Sequence, residues 1–130
     1  MSVAWVELVA VLAALQLLLF GVLSAKARAA SGLKAPAMTG DVQFERMHRV
    51  QMNTVELLLV FYPALFVASQ HWAAWAVAPL GAVYLLGRMV YWRSYTRDPA
   101  TRTMGFTLSI APVVVLLIFA LVGSVMAIFA

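Results

Sequence analysis

The feature that most constrains this chain is a rhythm. Four long apolar stretches alternate with short polar breaks, and every lysine and arginine lies in or beside the first or the third break. A helix that crosses a bilayer needs roughly 20 mostly apolar residues. Stretches at about 3–28, 42–69, 73–96 and 103–129 meet that length, and the last carries no charge. The expected fold is therefore all-α: an integral membrane four-helix bundle, up-down-up-down, forming a single domain over residues 1–130. Hydrophobic residues make up 65% of the chain, against roughly 45–50% in soluble domains, so water is not the expected solvent. Met1 to Gln16 begins without Lys or Arg and runs into a longer apolar span. The first stretch is thus expected to be kept rather than cleaved as a signal peptide.

The breaks carry turn chemistry. Ala29 to Asp41 holds Ser31, Gly32, Lys34, Pro36, Thr39 and Gly40. Asp41 is placed to cap the second helix, and Glu45 favours its dipole. Gln70 to Trp72 reads as a short turn, Arg97-Asp98-Pro99 as a break, and Pro79 and Pro112 as bends tolerated in a membrane. Lys26, Arg28, Lys34, Arg46 and Arg49 gather around loop one, and Arg88, Arg93, Arg97 and Arg102 around loop three. The positive-inside rule expects both loops in the cytosol and both termini on the opposite side. Trp5, Trp72 and Trp75 then belong to the far interface and Tyr91, Trp92 and Tyr95 to the cytosolic one. A short chain of this kind leans toward a bacterial inner membrane rather than an endoplasmic reticulum. The net charge of +4 reads as orientation and anionic-ligand charge, with no nucleic acid as partner. There is no cysteine, which excludes disulfides, thiolate metal sites and a cysteine nucleophile. No metal is expected, and any thiol must come from a ligand.

Chemistry concentrates on two helices. Arg46, Arg49, Asn53 and Glu56 are spaced by three, four and three residues, which places them within roughly an 80° arc. A carboxylate well inside a span is costly facing lipid, so Glu56 is expected to face the protein interior or a wet cavity with a partner, Arg49 or Asn53. Arg88, Tyr91 and Tyr95 form a matching stripe on the third helix, and Arg102 follows the Asp98-Pro99 break. Each stripe also has a plainer reading. Arg46 and Glu45 serve as interface residues, Glu56 as an internal pair that registers the bundle, and the tyrosines as belt residues. His48 reads as a solvated interface histidine. Together, two arginines, an amide, a carboxylate and two phenols suit a small zwitterion. Arginine forks onto carboxylates, Glu56 holds an ammonium, and Asn53 and the phenols bind peptide groups. A glutathione-like tripeptide has that inventory, and a further cation beside its sulfur stabilises thiolate over thiol.

At these residues a resemblance becomes specific. Phe44-Glu45-Arg46-Met47-His48-Arg49-Val50-Gln51-Met52-Asn53-Thr54-Val55-Glu56 resembles the signature of the MAPEG family, the membrane-associated proteins of eicosanoid and glutathione metabolism. Gly87-Arg88-Met89-Val90-Tyr91-Trp92-Arg93-Ser94-Tyr95 and Arg102 resemble the third-helix and loop pattern of that family's leukotriene C synthases, at ungapped spacing. The likeness runs from about Lys26 to Pro112. It implies a homotrimer with three glutathione sites between adjacent subunits near the cytosolic boundary. Arg49, Asn53, Glu56, Tyr91 and Tyr95 would line one subunit's share, with Arg46 and Arg88 nearby. Gln51, with Arg28 or Lys26, would reach in from the neighbour. Arg102 matches the family arginine at the glutathione sulfur, the catalytic position, and Thr103 falls where prostaglandin E synthases carry a serine. Leu57 departs from the tyrosine that leukotriene C synthases carry after the glutamate, which counts against an eicosanoid substrate and not against glutathione binding.

Three functions compete on this reading. The first is a membrane-bound glutathione transferase, with glutathione peroxidase activity as an extension, for detoxification. Its thiolate attacks a hydrophobic electrophile or a lipid hydroperoxide arriving through membrane lipid. The second is a non-catalytic lipid-binding scaffold of the same family, against which Arg49, Tyr95 and Arg102 count. The third is a small four-helix multidrug exporter, for which Glu7 sits too near a helix end and Glu56 has arginine neighbours that repel cationic drugs.

Overall fold

The computed structural model describes residues 1–130. Four helices, α1 (Ala4–Ser31), α2 (Val42–His71), α3 (Ala74–Arg97) and α4 (Thr103–Ile128), are joined by a loop, a two-residue turn and the 3-10 turn Pro99–Thr101. Each of the four is long and apolar enough to cross a membrane. All of the expected spans form, and their ends move by one to three residues. α1 continues three residues past the expected 28 because small alanines carry it to Gly32, which takes φ 78° and stops it in the left-handed conformation that glycine adopts freely. α2 runs two residues past 69, so Gln70 and His71 are helical and the turn narrows to Trp72 and Ala73. The Trp72 amide still donates to Ala68 O, and its indole Nε1 donates to Phe119 O at 2.7 Å, pinning the turn to α4. α3 begins and ends one residue later than expected, and α4 stops at Ile128. Pro63, Pro79 and Pro112 all lie inside uninterrupted helices.

Asp41 caps α2 as its position implied: Oδ2 accepts from the Phe44 amide at 2.9 Å, and Glu45 Oε2 accepts from Gly40 N–H. The core is layered along the bundle. One apolar layer joins Val9, Ala13, Leu57, Phe61, Tyr84 and Leu116, with the Phe61 and Tyr84 rings stacked 4.0 Å apart. A smaller layer of Phe20, Met47, Val50 and Tyr91 closes the end that carries loops one and three. α3 and α4 lie backbone to backbone there. A Cβ on Gly105 would fall 2.4 Å from Tyr91 N, and one on Gly87 would fall 2.5 Å from the Leu108 carbonyl carbon. The outside is apolar in the same measure, with Leu8, Leu15, Leu18, Leu59, Phe66 and Leu121 all exposed. Lipid solvates such a surface and water does not.

Candidate functional site

The polar residues of α2 and α3 meet at the loop-one end of the bundle, and they meet inside the chain. Arg88 is fully buried, with no exposed surface. Its Nη1 donates to Asn53 Oδ1 at 2.7 Å and to Thr54 Oγ1 at 3.2 Å, and its Nε donates to Ser109 Oγ at 2.9 Å. Both hydroxyls are fixed in turn, Thr54 Oγ1 donating to Val50 O and Ser109 Oγ to Gly105 O. The guanidinium lies 4.3 Å above the centre of the Tyr91 ring, and Tyr91 stacks on Tyr95 at 5.4 Å. A charge removed from water is tolerated only when hydrogen-bonded. Here three side-chain oxygens and a ring face replace most of the hydration shell, and Nη2 alone is left without a partner. Arg88 is therefore a strut joining α2, α3 and α4 rather than a group open to a ligand. Thr54 and Ser109, which pattern reading passed over, complete it. Their signal was weak, two small hydroxyl residues among apolar neighbours.

The α2 stripe divides. Thr54, Leu57, Leu58 and Phe61 turn the opposite flank of the helix into the core, so at about 100° per residue Glu56 and Arg49 must face outward. They pair at 3.4 Å, the chain's one ion pair, with side chains 52% (Arg49) and 58% (Glu56) exposed. Glu56 thus has the expected partner, but it faces the outside of the bundle rather than the interior. Asn53, at the edge of the stripe, reaches inward to Arg88. Arg46 swings to the end of α3, its Nη1 donating to Arg97 O at 3.0 Å and Thr96 O at 3.4 Å, where it satisfies carbonyls that the helix end leaves free.

The other candidates stand around this centre. Tyr91 is buried and Tyr95 half-buried. Arg102 is exposed at the start of α4, with Nη1 donating to Pro99 O at 3.0 Å within its own turn, and Thr103 beside it is exposed. Arg28 is held by loop one: its Nη1 donates to Ala37 O at 2.7 Å, and its guanidinium sits 4.3 Å from the centre of the Phe44 ring. Lys26 is exposed. Gln51 is half-buried against α1, near enough that a Cβ on Gly21 would meet its Nε2 at 3.4 Å. The structure thus gathers Asn53, Arg88, Tyr91 and Tyr95 into one connected group. Arg49 and Glu56 stand beside it on the outer face, and Arg28, Lys26 and Gln51 belong to the α1 side of the bundle.

Comparison with known proteins agrees with this architecture. The model of the MAPEG family matches residues 6–122. The chain is 37% identical over 119 residues to an uncharacterized protein of Synechocystis sp., covering 92% of this chain and 87% of that one. It is 33% identical over 115 residues to the microsomal glutathione S-transferase 2 of Homo sapiens, covering 88% of this chain and 78% of that protein. It is also 36% identical over 77 residues to the leukotriene C4 synthase of Cavia porcellus, covering 59% of this chain and 51% of that protein. With four membrane-length helices, a polar centre on α2 and α3, and a family match over nearly its whole length, this chain belongs to the MAPEG family of integral membrane proteins.

Proposed function

We propose that the protein is a membrane-bound glutathione transferase of hydrophobic electrophiles, working as a homotrimer with glutathione held between adjacent subunits. The observation that carries this reading is the outward-facing Arg49–Glu56 pair. Glu56 is the fifteenth of the 30 residues of α2, and an exposed ion pair in a membrane span is expensive unless protein or a wet cavity covers it. A neighbouring subunit covers it, and a zwitterionic tripeptide uses both of its charges. Glu56 holds the α-ammonium, Arg49 a carboxylate, and Tyr95 a peptide group. Asn53 is fixed by Arg88, while Gln51 and Arg28 or Lys26 approach from the neighbour's α1 side. Curated relatives named as glutathione transferase and leukotriene C4 synthase support a glutathione-dependent transferase.

Arg102 supplies the chemistry. Its guanidinium beside the sulfur stabilises the thiolate, the thiol proton leaves to water, and the sulfur lone pair forms a thioether with the electrophilic carbon as the leaving group departs with its electrons. Thr103 is placed to donate a hydrogen bond to the same region. The hydrophobic substrate enters from the lipid. Loops one and three face the cytosol, where glutathione is available, and the Synechocystis relative supports a bacterial inner membrane.

The test is conjugation of a chlorodinitrobenzene by detergent-purified protein. Turnover is expected in the wild type, and Arg102→Ala is expected to lower kcat about 100-fold with a small change in the glutathione KM, the loss typical of one electrostatic group at a reacting atom. Absence of turnover, or equal kcat in the variant, refutes the assignment.

A further inference from the structure

Two cavities lie one above the other on the side of α3 that faces away from Tyr91 and Tyr95. At about 100° per residue, Leu85, Leu86, Met89, Arg93, Thr96 and Arg97 fall within an arc of roughly 120°, and the two tyrosines project from the other side of the helix. The lower cavity is a largely apolar groove of about 470 Å³ between α1 and α3, lined by Leu12, Leu15, Gln16 and Leu19 from one helix and Leu85, Leu86 and Met89 from the other, with Gln16 Nε2 donating to Leu85 O. The upper one, of about 400 Å³, contains no hydrophobic residue and is lined by Arg93, Thr96 and Arg97 of α3 and by Gln43 of α2. Met89 and Arg93 are one helical turn apart, a rise of about 6 Å.

The two arginines are free to bind. The only ion pair of the chain engages Arg49 and Glu56. The nearest acid in sequence, Asp98, turns Oδ1 to the Ala100 amide. The terminal α3 carbonyls are already satisfied by Arg46, so Arg97 is not needed as their cap. The Arg93 guanidinium carbon lies 5.1 Å from the centre of the Trp92 ring, a loose cation–π contact that holds the head group at the level where aromatic belts mark the bilayer boundary and leaves its N–H donors unpaired. Each guanidinium offers a planar fork of donors suited to a phosphate.

We propose that this surface binds an anionic glycerophospholipid, its phosphate between Arg93 and Arg97 with Gln43 and Thr96 alongside, and an acyl chain in the α1–α3 groove below. A free phosphate accounts for the arginines but leaves unused the apolar groove that begins one helical turn away on the same side of α3. A lipid uses both, in the vertical order that a bilayer imposes. Basic pockets between spans on the positively charged side recognise lipid head groups in this way. The site is separate from the one proposed for glutathione and stands whether or not that reading holds.

The experiment is native mass spectrometry of the full chain, with midpoint shifts on heating, in detergent supplied with single lipids. Dioleoyl phosphatidylglycerol is expected to be retained in preference to dioleoyl phosphatidylcholine. Arg93→Gln/Arg97→Gln is expected to bind it about 30-fold more weakly, roughly 2 kcal/mol for two basic residues near an anionic surface. Each single Gln variant should lose about fivefold, which keeps the test open if the double variant fails to fold. Arg93→Lys/Arg97→Lys should retain most of the preference. Dihexanoyl phosphatidylglycerol should bind more weakly than the dioleoyl form. Equal retention of the two dioleoyl lipids, or undiminished preference in the Gln variants, overturns the proposal. A midpoint shift from inorganic phosphate as large as that from phosphatidylglycerol overturns the lipid as the occupant.

Discussion

Removing the guanidinium of Arg88 would strand Asn53 Oδ1, Thr54 Oγ1 and Ser109 Oγ around a cavity, since all three accept from it. Arg88→Ala is expected to destabilise the fold by about 3–5 kcal/mol, from the void and the unpaired acceptors together, as read by denaturant unfolding in detergent. Because Asn53 would then be free to rotate, glutathione affinity should fall as well, in calorimetry at temperatures where the variant is still folded. Glu56→Gln tests a different role at the same scale. It removes the charge offered to an ammonium but keeps the shape, and glutathione is expected to bind about tenfold more weakly in calorimetry, the loss of one charge-assisted hydrogen bond. Spacing alone offered Arg49 or Asn53 as the partner of Glu56, and the structure pairs it with Arg49, two helical turns away. Spacing did not reveal that Asn53 leaves the stripe for Arg88, because that depends on how α3 is rotated against α2.

Between helices, the decisive contact is the approach of α3 to α4 through two glycines whose absent side chains let backbone meet backbone. Gly105→Ala forces a methyl into the Tyr91 backbone, and Gly87→Ala forces one into Leu108. Either is expected to cost about 1–3 kcal/mol or more, as over-packing does when the obstructing atoms cannot rotate away. Because Ser109 and Tyr91 move with those backbones, turnover should fall along with the unfolding midpoint. The α2 cap is a milder case: Asp41→Ala should cost about 1 kcal/mol and leave turnover nearly intact. Helix starts and stops were readable where Asp41 and Pro99 enforce them, but not at Gly32, which ends α1 three residues later than expected. They were misjudged where the deciding bond is distant: the Trp72 indole reaches Phe119, 47 positions away.

For the whole molecule, two expectations concern sidedness and assembly. The chain has no cysteine, so single replacements report cleanly. Lys34→Cys should react with a membrane-impermeant maleimide only when the cytosolic face is open, and Gln70→Cys only from the opposite face; the reverse pattern would invert the proposed topology. Native mass spectrometry in mild detergent should show three copies, whereas a monomer that still turns over glutathione would remove the interface from the site. Sequence by itself determined the solvent, the number of spans and the clustering of charge at one end, because each follows from composition and local order: a run of apolar residues is long enough to cross or it is not. It also supplied the residues from which the proposed glutathione site is drawn. Only the tertiary structure decided which of them point inward. Helix rotation is set by packing against neighbours such as Phe61, Gly87 and Gly105, and a turn of α2 by one residue would exchange Glu56 for Leu57 at the surface. That rotation made Arg88 a buried strut, set Arg49 and Glu56 outward, and left Arg93 and Arg97 unpaired above an apolar groove.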